Sequence, residues 1–189
     1  DGGRGADTLE VEGTAGDDDV QVVGNAPQLD VHVGDETLSV TAVETLELHT
    51  GAGDDRVEIA DVAGTLLTRL WAWLGEGDDR FDGRASAIYS CVWGEDGDDL
   101  FTGGRGQTWF YGGEGQDVAD YSDSPAGVWA RLDGGCSRNG FGGYDWLRES
   151  EVILGSSFAD VLIGSRGNDE LYGGAGNDQI AVSGAGGGS

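Results

Sequence analysis

Apolar and polar residues alternate along this chain in short runs, and glycine and aspartate bound each run. TLEVE (8–12), DVQVV (19–23), LDVHV (29–33), TLELH (45–49) and RVEI (56–59) place a large aliphatic residue at every second position. A period of two predicts short β-strands with one face buried. It nominates Leu9, Val11, Val20, Val22, Leu29, Val31, Val33, Leu38, Val40, Leu46, Leu48, Val57, Ile59, Phe81, Phe101, Phe110, Leu162, Leu171 and Ile180 as inward-facing. Such a core is long and narrow. A helical bundle is disfavoured, because 37 of the 189 residues are glycine and each costs about 1 kcal/mol in a helix relative to alanine.

The glycines recur in phase. GSSFADVLI (155–163), GSRGNDELY (164–172) and GGAGNDQIA (173–181) follow one another without a gap, as do GEDGDDLFT, GGRGQTWFY and GGEGQDVAD from 94 to 120. Further units begin at Gly2, Gly13, Thr50 and Leu74. All fit G-G-x-G-x-D-x-U-x, where U is large and apolar. Glycine at positions 1, 2 and 4 lets the backbone turn through conformations other residues resist. Aspartate at position 6 offers a hard carboxylate, and turn carbonyls add oxygens of the kind Ca²⁺ collects, six to eight at about 2.3–2.6 Å. Aspartate and glycine also dominate ordinary turns, but ten clusters in register are hard to explain that way.

This pattern resembles the RTX, or haemolysin-type, calcium-binding repeat, and the resemblance covers most of the chain. It implies an all-β fold, a right-handed parallel β-roll of about 18–24 residues per coil, with 1–189 as a single unit. It also implies multiple Ca²⁺ ions, each held between the loops of successive coils. Position-6 acids on one side run Asp18, Glu36, Asp55, Asp79, Asp99 and Asp117, at separations of 18, 19, 24, 20 and 18. Asp160 and Asp178 are again 18 apart. The opposite side is poorer, with Asp7, Asn25, Thr108 and Asp169. The loop glycines expected beside the ions are Gly53, Gly77, Gly97, Gly115 and Gly176. Glu36, in VGDET, departs from the pattern and predicts a weaker loop.

Charge sharpens the picture. Asp and Glu number 36 against 10 basic residues, all Arg, for a net charge of −26. A nucleic-acid partner is excluded, since phosphate binding draws on clustered positive charge. Membrane insertion is excluded too, because no apolar run approaches the roughly 20 residues of a span. Disorder is the usual fate of acidic, glycine-rich chains, but 38% hydrophobic content with six Trp argues against it. Stacked carboxylates repel unless a cation lies between them, so folding and calcium binding are expected to be one process.

The middle third exchanges aspartate for aromatics. With Leu70, Ala72 and Leu74 inward, Trp71 and Trp73 face out; similarly Tyr89, Cys91 and Trp93, then Trp109 and Tyr111, then Trp129. Trp71, Tyr89, Trp109 and Trp129 recur at 18, 20 and 20 residues, which predicts an external aromatic ladder. Its rings either stack on one another or form a binding surface for sugars or a protein neighbour. Residues 121–154 break the nonapeptide and predict an irregular coil with a loop around 133–143 projecting from the roll. Cys91 and Cys136 are the two cysteines, and in an extracellular setting they form a disulfide candidate.

No HExxH, G-x-S-x-G or Walker motif is present, so the chain reads as non-enzymatic. The absence of Met fits a processed or excised segment. Three functions are consistent with these features: an extracellular calcium-dependent structural module able to stack head-to-tail on itself; a polysaccharide- or cell-surface-binding module using the aromatic ladder; and the secretion and folding tail of a type I-exported toxin or hydrolase. All three place it outside the cell.

Overall fold

The computed structural model describes residues 5–182. These residues are all-β, with nineteen strands in two mixed sheets and no helix among them. The first six are β1 (Thr8–Glu12), β2 (Asp19–Asn25), β3 (Gln28–Val33), β4 (Glu36–Thr41), β5 (Thr45–Ala52) and β6 (Arg56–Ile59). Then come β7 (Arg69–Glu76), β8 (Arg80–Asp82), β9 (Tyr89–Asp96), β10 (Leu100–Thr102), β11 (Gln107–Glu114) and β12 (Val118–Asp120). The last seven are β13 (Trp129–Arg131), β14 (Cys136–Arg138), β15 (Tyr144–Arg148), β16 (Val152–Leu154), β17 (Val161–Gly164), β18 (Glu170–Tyr172) and β19 (Gln179–Val182).

From β5 to β12 the chain alternates between the sheets. One sheet has the order β1-β5-β7-β9-β11-β15-β14-β13-β17-β19, and the other β18-β16-β12-β10-β8-β6-β2-β3-β4. Each strand in this stretch pairs in parallel with the next strand of its own sheet. Leu46 lies beside Leu70, Leu70 beside Ser90, and Val57 beside Phe81. One side of each strand therefore feeds a shared core, in which Leu46, Leu48, Leu70, Val92 and Phe110 of one sheet meet Val57, Phe81, Phe101 and Ala119 of the other. Phe101 and Phe110 stack across that core with ring centres 4.7 Å apart. A fully buried Leu or Phe contributes about 1.5–3 kcal/mol, so this thin layer carries much of the apolar stabilisation.

Two segments leave the alternation. Residues 19–41 form an antiparallel meander, β2-β3-β4, which takes up the chain that the 18-residue count assigns to a further coil. Val22, Leu29 and Val31 are buried in it, but Leu38 is 45% exposed because β4 is the sheet edge. Ile180, also expected inward, is 54% exposed on the opposite edge strand, β19. The second departure lies at 129–148. Rather than projecting, β14 inserts antiparallel between β13 and β15, and Ser137 and Asn139 are fully buried. Tyr121, from the same irregular stretch, is the largest fully buried side chain. Its hydroxyl donates to the buried Asp145 carboxylate at 3.0 Å, and the Asn139 amide donates to the other carboxylate oxygen at 3.1 Å. These polar partners hold the segment inside, since a buried carboxylate must be hydrogen-bonded.

Candidate metal centre

The turns leaving β5, β7, β9 and β11 stack in register along one edge of the molecule. Gly51 lies beside Gly75, Gly75 beside Glu95, and Glu95 beside Gly113. All four have positive φ, and Glu95, at 83°, is the one that is not glycine. Two residues on, Gly53, Gly77, Gly97 and Gly115 form a second left-handed column, with φ from 121° to 141°. A methyl group on Gly97 would run into the carbonyl oxygen of Gly77. The repeat needs glycine here both for its conformation and because successive turns press backbone on backbone.

After these glycines the paired aspartates form two columns. The exposed first members accept from the following turn: Asp54 N–H donates to Asp17, Asp78 N–H to Asp54, Asp98 N–H to Asp78, and Gln116 N–H to Asp98. The second members accept in the opposite direction, from the preceding turn. Asp18 N–H donates to Asp55 at 2.7 Å, Asp55 N–H to Asp79 at 2.7 Å, Asp79 N–H to Asp99 at 2.9 Å, and Asp99 N–H to Asp117 at 3.0 Å. Asp117 N–H continues the column onto Glu151.

Asp55, Asp79, Asp99 and Asp117 each spend Oδ1 on a backbone amide. The second oxygens of Asp55, Asp79, Asp99 and Asp117 are buried and have no partner. Those of Asp99 and Asp117 lie where a Cβ on Gly94 or Gly112 would sit, so glycine at position 1 keeps a cradle open. Burial, aided by like charge from neighbouring acids, pushes Asp79 up to about 7, Asp99 up to about 8 and Asp117 up to about 7; Asp55 is raised for the same reasons. A buried anionic oxygen without a donor is costly. A divalent cation bound by oxygens removes that cost, and turn carbonyls lie alongside. The donor set is all hard oxygen, which fits Ca²⁺.

Not every acid expected at position 6 is in this state. Glu36 opens β4, opposite Val33 in the hairpin, and the inner column passes from Asp18 straight to Asp55, 37 residues later. The meander takes Glu36 out of the column. Asp160 and Asp169 are satisfied locally, because Ser156 and Ser165 stand at position 2 and donate through both backbone N–H and hydroxyl. Asp178 accepts from Asp160 N–H, and its second oxygen faces Gly173. Gly176, with φ 132°, makes the matching turn. Asp18 accepts from Thr14 N–H at 2.6 Å. Asp7 keeps one buried unpartnered oxygen, while its backbone N–H donates to Glu44. Glu44, Glu151 and the outer acids Asp17, Asp54, Asp78 and Asp98 were not picked out from the sequence. The repeated GDD triplet was the available signal for the four outer aspartates.

The other edge is chemically different. Arg84 donates to Asp82 and to Asp123. Burial alone would raise Asp82, but these Arg84 contacts hold it below the usual carboxylate range. Here arginine supplies the counter-charge.

The outer face of the ten-stranded sheet carries the aromatics, in two columns. His49, Trp73, Trp93 and Tyr111 stack nearly parallel, with centres 4.4, 4.8 and 5.7 Å apart. Trp109 stacks on Trp146 at 5.0 Å, and Trp71 leans on Trp93 at 6.1 Å. The register departs from the simple count. Trp71 lies opposite Cys91, and Tyr89 opposite Arg69, although Tyr89 still meets Trp71 edge-on at 6.0 Å. Trp129 stands on β13, beyond β15 and β14, with Arg131 over its ring. Trp146 and His49 complete the stacks and were missed because the inserted strand and the meander shift the spacing.

The disulfide expectation is corrected: Cys91 and Cys136 are both free. Cys91 pairs with Trp109, Trp109 with Trp146, and Trp146 with Cys136. Three strand spacings separate the thiols by roughly 14 Å, beyond the reach of a disulfide. Flanking rings cover Cys91, and burial pushes its thiol up to about 11.

No curated protein matches the chain. A family model does, in four copies over residues 92–119 and 150–184, the stretches that hold Asp99, Asp117, Asp160, Asp169 and Asp178. Those two stretches match the RTX calcium-binding nonapeptide repeat, and RTX repeats bind Ca²⁺.

Proposed function

We propose that residues 1–189 act as a single non-enzymatic, secreted calcium-binding module that becomes ordered as Ca²⁺ enters the stacked turns. In this reading the two sheets are the walls of a right-handed parallel β-roll, and successive windings advance by 24, 20 and 18 residues along the Asp55–Asp79–Asp99–Asp117 column. The observation that carries the proposal is the run of four buried, unpartnered carboxylate oxygens in that column. One ion between each pair of facing turns would satisfy them, with Asp55, Asp79, Asp99 and Asp117 as ligands and the loops of Gly53, Gly77, Gly97 and Gly115 supplying carbonyls. Asp160 and Asp169, already satisfied by serine, would bind more weakly. Type I export suits a chain that stays unfolded where calcium is scarce.

Tyr172, Ile180 and Val182 are more than half exposed on edge strands β18 and β19, which favours a further winding or a second copy against that edge. The glycan-binding alternative has less support. Sugars stack on ring faces, and in the aromatic columns most faces are covered by the neighbouring ring.

Far-ultraviolet circular dichroism in chelator and in millimolar calcium tests the coupling, and light scattering tests self-association. The proposal predicts β structure with calcium and an expanded chain without it. Equal β signal in both conditions would refute it.

A further inference from the structure

A separate group of side chains converges on the outer face of the ten-stranded sheet, at its β1 edge. Glu10 and Glu12 are two residues apart on β1 and so share a face. His49 lies directly opposite Glu12 on β5. One ligand atom from each of the three lies within 4.8 Å of the other two. The His49 ring lies flat against Trp73, 4.4 Å away and tilted by 1°, so the imidazole is held in place by the aromatic stack rather than free to rotate. Glu47, the register partner of Glu10, adds negative charge nearby.

We propose that Glu10, Glu12 and His49 form a surface site for Zn²⁺, distinct in place and chemistry from the calcium turns. Imidazole nitrogen with carboxylate oxygen suits zinc, which in its open sites takes three protein ligands and leaves a fourth position for water. Calcium prefers six to eight oxygens and gains little from an imidazole. Two carboxylates and a neutral imidazole balance the 2+ charge. Because β1 is an edge strand, the open coordination position faces solvent. The stack against Trp73 restricts the ring's orientation by packing, which preorganises a ligand.

The test is isothermal titration of the calcium-saturated full chain with zinc chloride. Wild type is expected to bind one zinc ion at this site. His49→Ala should weaken that event by about tenfold or more, and His32→Ala should leave it unchanged. Because His49→Ala also removes a ring from the stack, a Glu10→Gln/Glu12→Gln double variant provides a second route. It leaves the stack intact and should lose the same event, with circular dichroism confirming the fold. The proposal is overturned if zinc does not bind in the presence of calcium. It is also overturned if the double variant or His49→Ala binds it as wild type does.

Discussion

Replacing Asp99 by Asn separates the two roles of the inner column. The amide keeps an oxygen to accept Asp79 N–H, the 2.9 Å bond of the native turn, but removes the charge on the buried oxygen that has no partner. Burial and neighbouring acids raise this carboxyl from 3.8 to about 8. At about 1.4 kcal/mol per unit, that bounds the cost of an ionised Asp99 in the metal-free fold at roughly 6 kcal/mol. Water reaching the turn beside the exposed Asp98 lowers it to about 2–3 kcal/mol. At pH 8.5 in chelator, with sucrose added to populate the compact state, Asp99→Asn should therefore increase order. In calcium the sign reverses, because a ligand is lost, and the calcium midpoint should rise severalfold. Far-ultraviolet circular dichroism across calcium and denaturant titrations reads both arms. Destabilisation in both conditions, or no change in either, would refute the reasoning.

Asp79, Asp99 and Asp117 all have folded-state values raised above 3.8. The metal-free fold thus binds protons more tightly than the unfolded chain, and its stability falls as pH rises through the window from about 4 to 8. Circular dichroism in chelator should show more β structure at pH 5 than at pH 8.5. Gly97→Ala places a methyl against the Gly77 carbonyl at φ 135°; a cost of about 3 kcal/mol should appear as a higher calcium requirement for folding. Tyr121→Phe removes the 3.0 Å hydrogen bond to Asp145 and should cost about 1–3 kcal/mol in denaturant melts with calcium present. Reductant should leave the melting temperature unchanged, and a thiol reagent should label Cys136 before the buried Cys91.

The parts of the fold that repeat were legible in the sequence. Alternation identified Leu46, Leu48, Val57, Phe81, Phe101 and Phe110 as core, and all are buried. The position-6 count reached the column of Asp55, Asp79, Asp99 and Asp117 because nothing interrupts the parallel strand alternation between them. It failed where the chain changes direction. A hairpin and a further coil both need alternating residues and a glycine turn, so VGDET read as a coil and Glu36 as a ligand. The 129–148 insertion broke the phase, hiding Glu151 and Trp146 and making the cysteines look bridgeable. What kept that segment inside was the contact of Tyr121 and Asn139 with Asp145, a long-range polar arrangement that no local spacing encodes.

Crystals grown in calcium, with anomalous diffraction used to locate the ions, test the central claim most directly. The account predicts a cation within bonding distance of the free oxygens of Asp55, Asp79, Asp99 and Asp117, one between each pair of facing turns. Ordered turns with no cation beside those four oxygens would contradict it.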